Sequence, residues 1–287
     1  MEEEKVSINW FPGHMHKTLR EIEEKLKAVD AIIYVLDARA PISSFNPKID
    51  RLAQNKPIVY CLNKADLADE IKTKFFKQKL ESENKSVVVL SANTNSAKTA
   101  ILKAIKTALA AKTEAYSKKG INRVLRVMVV GVPNTGKSTI INLLAEKKKA
   151  ETGNKPGVTK ATAWVKVSDN LEILDTPGTL WPKFETNEQA VKLAMLGSIK
   201  DDAIDIASLG LEAIKMLALV APEALIKRYN LAQNAGQICK IEPLEIMEEI
   251  AKNKGYLLKK SEIDYERTAK AVLTDYRSSR IGKISLD

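Results

Sequence analysis

The stretch "GVPNTGKST" (131–139) constrains the fold of this chain more than any other. It matches the pattern G-x-x-x-x-G-K-[ST], in which two glycines let the backbone wrap around phosphate groups. An aliphatic run, "VLRVMVVG" (124–131), precedes it, and a helical pattern, "STIINLLAE" (138–146), follows it. Strand, glycine loop and helix in this order favour a phosphate-binding loop over an ordinary glycine turn.

The side chains of this loop have separate expected roles. Lys137 should reach the β- and γ-phosphates of a nucleotide, and the Ser138 hydroxyl should be a ligand of Mg²⁺. Backbone N–H groups and the positive end of the following helix also favour an anion. The sequence therefore predicts a phosphate- and Mg²⁺-binding site formed by Thr135, Gly136, Lys137, Ser138 and Thr139.

Two further stretches are candidates for contact with Mg²⁺ and the γ-phosphate. "DTPG" (175–178) ends an apolar run, so Asp175 can hold Mg²⁺ through water and the Gly178 N–H can donate to the γ-phosphate. By itself this tetrapeptide is weak evidence, since Asp and Gly also form turns. Thr159, in "NKPGVTK" (154–160), is expected to close onto Mg²⁺ and the γ-phosphate, with a solvated basic loop as the alternative.

"NKAD" (63–66) follows another apolar run and indicates which base the nucleotide carries. The Asp66 carboxylate can accept hydrogen bonds from the guanine N1–H and 2-amino group, which adenine does not offer. Asn63 can bond the base and brace the loop, and the stem of Lys64 can lie along the ring. Taken alone, the motif is better explained as an ordinary Asn-Lys turn, so its value as evidence comes from the other motifs.

A third motif, "SAN" (91–93), follows its own apolar run. Its residues Ser91, Ala92 and Asn93 are expected beside the base, with the Ala92 N–H directed at guanine O6. The motifs then run NKAD, SAN, phosphate loop, Thr159 and DTPG, which is a cyclic shift of the usual GTPase order. Such a shift is tolerated when the original termini lie close together at the surface. The polar segment 112–123 is predicted to be the connector that joins them.

The hydrophobic pattern predicts an α/β fold. Runs rich in Val and Ile indicate buried parallel strands at 30–38, 56–63, 85–92, 124–131, 162–167 and 171–178. Helical patterns between most of them indicate a doubly wound, mostly parallel sheet of the P-loop GTPase class, circularly permuted. The predicted GTPase domain is 1–185, including an N-terminal helix within 16–29.

The rest of the chain, 186–287, shows helical patterns without strand signals. Breaks fall at Gly197, Pro222 and Pro243, and the basic tail is expected to be extended. This part is predicted to be an all-α domain.

The net charge of +10 in 287 residues favours a polyanionic partner, although a soluble, lysine-rich surface explains it equally well. No apolar run has the length of about 18 residues that a membrane span requires. The acidic start "MEEEKVSINW" lacks the pattern of a secretory or transit peptide, so a cytoplasmic protein without a membrane partner is expected.

Taken together, these motifs resemble the circularly permuted bacterial GTPases of the YlqF family, also called ribosome biogenesis GTPase A. The likeness covers the whole length and includes "WFPGHM" (10–15), "DAR" (37–39) and "DYRSSRIGKISLD" (275–287). It implies a GTP hydrolase acting late in assembly of the large (50S) ribosomal subunit. Such a protein, a monomer off the ribosome, would bind the rRNA and proteins of the precursor particle with GTP and leave after hydrolysis to GDP.

The resemblance also implies two roles that the residues alone do not. His14 matches the histidine thought to orient the attacking water in this family, which lacks the usual glutamine; a packing or capping role is the alternative. Asn134 resembles the asparagine that helps to bind K⁺ in potassium-stimulated GTPases. Thr179 stands where family members often carry an aliphatic residue, so the apolar surroundings of the water differ here.

Two other functions fit the same motifs. One is a GTPase acting on a different RNA target, such as tRNA or the small subunit. The other is a nucleotide-gated RNA-binding module whose hydrolysis is incidental. An ATPase is disfavoured by Asp66.

Overall fold

The computed structural model describes residues 20–53, 56–92, 94–145, 163–178, 180, 184 and 186–287. The described residues divide into two compact units. The helical unit is Phe184–Leu286, and the α/β unit contains the described residues before 184 together with Asp287. The domain ranges 1–185 and 186–287 stay predictions, because most of 181–185 lies outside the described residues.

One six-stranded sheet forms the centre of the α/β unit. Its strands are β1 (Ala31–Asp37), β2 (Ile58–Asn63), β3 (Lys85–Val89), β4 (Leu125–Val130), β5 (Ala163–Ser168) and β6 (Leu171–Asp175). Their order across the sheet is β3-β2-β1-β4-β6-β5. All neighbouring pairs are parallel except β5 and β6. The carboxyl ends of the five parallel strands therefore lie at one edge, where their loops meet.

Strand β5 corrects one expectation from the sequence, which placed a buried parallel strand at 162–167. It runs antiparallel to β6 at the edge of the sheet, with Val165 buried and most of its other residues exposed. Only two residues separate β5 from β6, and such a short connection permits only an antiparallel pair. The alternation of Trp164, Val165 and Lys166 is typical of a strand with one solvated face.

Helices cover both faces of the sheet. They are α1 (20–26, as far as it is described), α2 (Pro47–Leu52), α3 (Glu70–Leu80), α4 (Asn95–Ala108), α5 (Ala110–Lys118) and α6 (Lys137–Leu144). One core includes Ile101 of α4 and Ile140 of α6, and the other includes Ile22 of α1 and Phe76 of α3. The two cores on opposite faces confirm the doubly wound arrangement.

The predicted connector at 112–123 contains a helix in its first half, which its polar composition did not indicate. Helix α5 occupies Ala110–Lys118, and the segment between it and β4, residues 119–124, has no helix or strand. Alanine, lysine and glutamate are strong helix formers, so a polar composition did not imply a loop. Leu109 separates α4 from α5, with φ −102° and ψ 4°.

The helical unit contains six α-helices among its described residues. They are α7 (Asn187–Met195), α8 (Ile206–Val220), α9 (Pro222–Tyr229), α10 (Ala235–Ile238), α11 (Pro243–Lys254) and α12 (Tyr265–Arg277). The breaks predicted at Gly197, Pro222 and Pro243 are confirmed, since Gly197 follows the end of α7 and each proline begins a helix. Within the described ranges, no helix is long and apolar enough to cross a membrane.

The C-terminal tail differs from a free basic extension. Residues 278–287 contain no helix or strand, as expected, but Ile281, Ile284 and Leu286 are buried. Burial of these apolar side chains offsets the cost of ordering an irregular segment.

Candidate nucleotide-binding site

The phosphate loop joins β4 to α6 and depends on two glycines with positive φ. A side chain at Gly131 (φ 149°) would place its Cβ 2.4 Å from the Val35 carbonyl oxygen. At Gly136 (φ 95°) a Cβ would lie 2.2 Å from Asn63 Nδ2. Both positions therefore require glycine for conformation and for space. Asn134, with φ 61°, supplies a further left-handed position in the same loop.

Lys137 begins α6 and is held inside the loop. Its side chain is only 6% exposed, and Nζ donates to the Val132 carbonyl at 2.9 Å. The same carbonyl accepts from Thr135 Oγ1 at 3.0 Å. Burial lowers the pKa of Lys137 to about 8, although the nearby Asp175 carboxylate acts in the opposite direction. A bound phosphate would favour the charged form of this lysine.

Asn63, at the end of β2, ties three loops together. Its Nδ2 donates to the Thr135 carbonyl at 2.8 Å, and its Oδ1 accepts from the Ala92 N–H at 3.0 Å. The NKAD and SAN loops are thereby fixed against the phosphate loop. Because Ala92 N–H already bonds Asn63, contact with guanine O6 requires this hydrogen bond to be shared or exchanged.

Lys64 continues this connection with φ 61°. Its Nζ donates to the Asn134 carbonyl and lies 3.1 Å from Asp37 Oδ2. Asp37 ends β1 and pairs in register with Asn63 of β2, which explains why its carboxylate reaches the ammonium group. The lysine is therefore held between a buried carboxylate and the phosphate loop.

Asp37 and Arg39 form a buried ion pair that sequence reasoning missed. Their side chains are 1% and 2% exposed, and Arg39 Nε and Nη2 donate to the two carboxylate oxygens at 2.9 and 2.8 Å. Burial alone would raise the pKa of Asp37, but Arg39 and Lys64 together hold it below the usual range. The signal available in the sequence was "DAR" at the end of a buried strand.

Asp66 lies in the same loop and is exposed. One carboxylate oxygen accepts a hydrogen bond from Ser91 Oγ, and the Asp66 N–H donates to that hydroxyl at 3.2 Å. Ser91 thus orients the carboxylate of Asp66 and links the NKAD and SAN loops a second time.

The DTPG segment lies directly against the phosphate loop. A Cβ at Gly178 would be 2.7 Å from Pro133 Cα and 2.8 Å from Lys137 Nζ, so the backbone at Gly178 and the lysine ammonium are close neighbours. Thr176 Oγ1 donates to the Val129 carbonyl at 2.6 Å, which fixes the start of the segment to β4. The described parts of all the predicted motifs therefore meet at one edge of the sheet.

Comparisons with known proteins agree with this geometry. A family model described as "50S ribosome-binding GTPase" matches residues 126–239. Ribosome biogenesis GTPase A of Bacillus licheniformis is 41% identical over 281 residues, covering 98% of each chain. The protein of the same name from Thermotoga maritima is 30% identical over 98% of this chain and 94% of its own.

The chain belongs to the ribosome biogenesis GTPase A family. Among solved structures, GNP-bound YlqF from T. maritima is similar with a TM-score of 0.65 and 27% identity, covering 94% of this chain and 97% of that one. Its GDP-bound structure also matches with a TM-score of 0.65. These matches confirm the predicted fold class, a circularly permuted P-loop GTPase with a helical C-terminal region. The chain is accordingly a GTPase of ribosome assembly that hydrolyses GTP.

GTPases of this kind generally use Mg²⁺. Asp175 fits a place beside such an ion, because it is 4% exposed and its Oδ1 has no hydrogen-bond partner among the described residues. Burial raises the pKa of Asp175 to about 6, while Lys137 opposes this rise. A buried, unsatisfied carboxylate oxygen is the kind of group that a hydrated cation would satisfy. Ser138 and Thr139, partly buried in the first turn of α6, lie beside Lys137 in sequence.

Four predicted positions of this ribosome biogenesis GTPase cannot be located. Asn93, Thr159 and Thr179 lie outside the described residues, as does His14. Their roles remain predictions from the motifs and the resemblance.

Proposed function

We propose that this GTPase acts in late assembly of the large (50S) ribosomal subunit. It binds the immature particle, including its rRNA, in the GTP state and leaves after hydrolysis. The observation that carries the proposal is the 41% identity, over 98% of the chain, to a protein named ribosome biogenesis GTPase A. The matched family model, described as "50S ribosome-binding GTPase", points to the same subunit. The net charge of +10 is compatible with a phosphate-rich partner.

The loops after β2 and β3 recognise guanine in this proposal. Asp66 accepts from the guanine N1–H and 2-amino group, and its hydrogen bond with Ser91 orients it for this role. Asn63 braces the base loop against the phosphate loop, and the aliphatic stem of Lys64 covers the ring. Ala92 and Asn93 complete the base pocket.

The phosphate loop and DTPG segment hold the other end of the nucleotide. The phosphates are bound by the ammonium group of Lys137 and by the backbone around Thr135, Gly136 and Thr139. The Gly178 N–H donates to the γ-phosphate. When bound, Mg²⁺ neutralises phosphate charge during the reaction. Its proposed ligands are Ser138 and Thr159, with Asp175 acting through water. Asn134 is the proposed residue for K⁺.

His14 is proposed to orient the attacking water, because this chain has Thr179 where many GTPases carry a glutamine. A neutral imidazole can accept a proton or hold a water by a hydrogen bond. Lys137, held in the loop by its hydrogen bond to the Val132 carbonyl, and the loop N–H groups are proposed to stabilise charge that develops on the transferred phosphoryl group. The protein is proposed to work in the cytoplasm and to be monomeric off the ribosome.

The deciding experiment is GTP turnover with and without purified large ribosomal subunits. We expect large subunits to accelerate wild-type turnover and His14→Ala to lose that acceleration while still binding GTP. His16→Ala, which changes the only other histidine, is the matched control. Acceleration by small subunits or tRNA alone would identify a different RNA target. Binding without acceleration by any particle would identify a nucleotide-gated binding module.

A further inference from the structure

The positive charge of this chain is concentrated in one stretch. Residues 84–145 contain ten lysines and arginines but a single acid, Glu114, which gives a net charge of +9. The whole chain carries +10, so everything outside this stretch nets only +1. The helical unit is therefore not the main source of the basic character.

Half of these ten cations are already engaged within the α/β unit. Lys85 pairs with Asp50, Lys112 with Asp30, Lys118 with Glu114 and Arg126 with Glu172. The fifth, Lys137, is buried in the nucleotide site. Four of these cations are therefore balanced by an acidic side chain, and the fifth, Lys137, is buried rather than exposed at the surface.

The remaining cations include four that form what we term the α4–α5 basic face, defined as Lys103, Lys106, Lys119 and Arg123. All four are exposed. Within the described part of the chain, none of them lies within ion-pair distance of an acidic side chain. Exposed cations without an acidic partner raise the local positive potential, and this potential attracts a polyanion.

The helices hold these cations on the solvent side. Helix α4 directs Ile101 and Ile105 into the core, and Leu109 continues the same buried row. Lys103 and Lys106, three residues apart, lie on the opposite, exposed side of α4. Buried anchors on one side therefore fix the position of the charged row on the other.

Arg123 is also held in place. Its guanidinium carbon lies 5.7 Å from the centre of the Tyr116 ring, and Nη1 donates to the Tyr116 hydroxyl at 3.0 Å. An ordered guanidinium loses less conformational entropy when it binds a phosphate. This contact makes Arg123 the most preorganised member of the face.

The composition of the face distinguishes RNA from a lipid surface. Peripheral membrane helices combine basic residues with large apolar residues that insert between lipids. Between the core-facing positions of α4 and α5, the exposed side chains are lysine, threonine, serine, alanine and Glu114. Ile121, between Lys119 and Arg123, is an exposed large apolar residue, but a single isoleucine offers far less to insert than the apolar side of a membrane helix. Dense charge with so little exposed apolar surface suits a phosphate backbone in water.

We propose that the α4–α5 basic face binds the phosphate backbone of RNA without reading its sequence. The proposal rests on the proposed function, since it supplies a contact between this GTPase and rRNA. It places that contact in the α/β unit, on residues outside the nucleotide site.

The test is the variant Lys103→Gln/Lys106→Gln/Lys119→Gln in the full chain. Two probes are used across a salt series: purified large ribosomal subunits and an unrelated RNA duplex. We expect affinity for both to fall ~10-fold or more, and the slope of log affinity against log salt to lessen by about 2–3. Basal GTP turnover should be unchanged, because none of the three lysines belongs to the nucleotide site.

The matched control is Lys74→Gln/Lys77→Gln/Lys79→Gln, which removes three exposed lysines of α3. It should bind both probes nearly as the wild type does. Equal losses in the two triple variants, or wild-type binding by the α4–α5 variant, would overturn the proposal. The proposal would also be overturned if the α4–α5 variant lost binding to anionic lipid vesicles but bound RNA as the wild type does. If the wild type bound the RNA duplex but not the large subunits, the proposed function would be refuted and the RNA-binding proposal would stand.

Discussion

The side-chain amide of Asn63 donates to the backbone carbonyl of Thr135 at 2.8 Å, joining the loop after β2 to the loop after β4. The two residues are far apart in sequence, and the usual GTPase order is rearranged around them. Strand β1 lies between their strands in the sheet, so the bond bridges the end of a third strand. This hydrogen bond links the loop proposed to recognise the base with the loop proposed to bind the phosphates.

Asn63→Ala should weaken GDP binding and lower the free energy of unfolding. The change removes the hydrogen-bond partner of the Thr135 carbonyl and of the Ala92 N–H. Each buried group that stays unsatisfied lowers the free energy of unfolding by about 1–3 kcal/mol. GDP titration and urea denaturation measure the two effects. Asn84→Ala, at an exposed asparagine of the same unit, is the control and should change neither. Equal GDP affinity in both variants would show that the bond does not arrange the loops.

Asp37→Asn should reduce stability at pH 7 and flatten its dependence on pH. The folded-state pKa of Asp37 lies below its unfolded value, so its contribution is present above about pH 4 and is lost as the pH falls further. Removing one partner of a buried ion pair costs about 3–5 kcal/mol, because Arg39 stays buried without its counter-charge. Urea denaturation from pH 7 down to pH 3 measures both quantities.

The control for Asp37 is Asp169→Asn, which changes an exposed aspartate paired with Lys166 on the surface. Solvent screens such pairs, so this variant should follow the wild-type pH curve. If Asp37→Asn kept the full acid-dependent loss of stability, another carboxylate would be responsible for it.

Much of the α/β fold could be predicted because its strands are continuous apolar runs. β1 and β2 are buried along their whole length, as their composition requires. β5 was assigned the wrong direction, since a short apolar run does not show whether its partner is parallel. The position of α5 was missed because composition alone does not separate a charged helix from a loop.

The candidate site could be predicted only as far as its motifs reach. Local patterns identified Lys137, Asp66 and Gly178, and the sheet then brought their loops together. The ion pair of Asp37 and Arg39 could not be predicted in the same way. Its relation to Lys64 depends on the register of β1 against β2, which no local pattern contains.

Asp66→Asn should shift the base preference from guanine toward xanthine. An amide in place of the carboxylate loses one acceptor for the guanine N1–H and 2-amino group and gains a donor suited to the xanthine 2-oxo group. Competitive binding of GDP and xanthosine diphosphate measures the shift. Glu83→Gln, at an exposed acid of the same unit, should keep the wild-type preference. An unchanged ratio in Asp66→Asn would mean that this carboxylate does not contact the base.

Gly178→Ala should impair nucleotide binding through steric overlap rather than backbone strain. The new methyl group would lie 2.7 Å from Pro133 Cα and 2.8 Å from Lys137 Nζ, closer than carbon atoms approach in folded proteins. Either the phosphate loop shifts or Lys137 leaves its hydrogen bond with the Val132 carbonyl. Overpacking of this kind costs about 1–3 kcal/mol, which corresponds to a loss of roughly 5- to 160-fold in GTP affinity if the whole cost falls on the nucleotide-bound state.

Gly236→Ala is the matched control for this steric effect. At Gly236 the nearest atom to a new Cβ is Asn234 Oδ1 at 3.6 Å, an ordinary van der Waals distance, so GTP affinity should stay at the wild-type value. Titration with a fluorescent GTP analogue compares the three proteins. Wild-type affinity in Gly178→Ala would mean that the DTPG segment does not approach the phosphate loop as closely in solution as the contact with Pro133 requires.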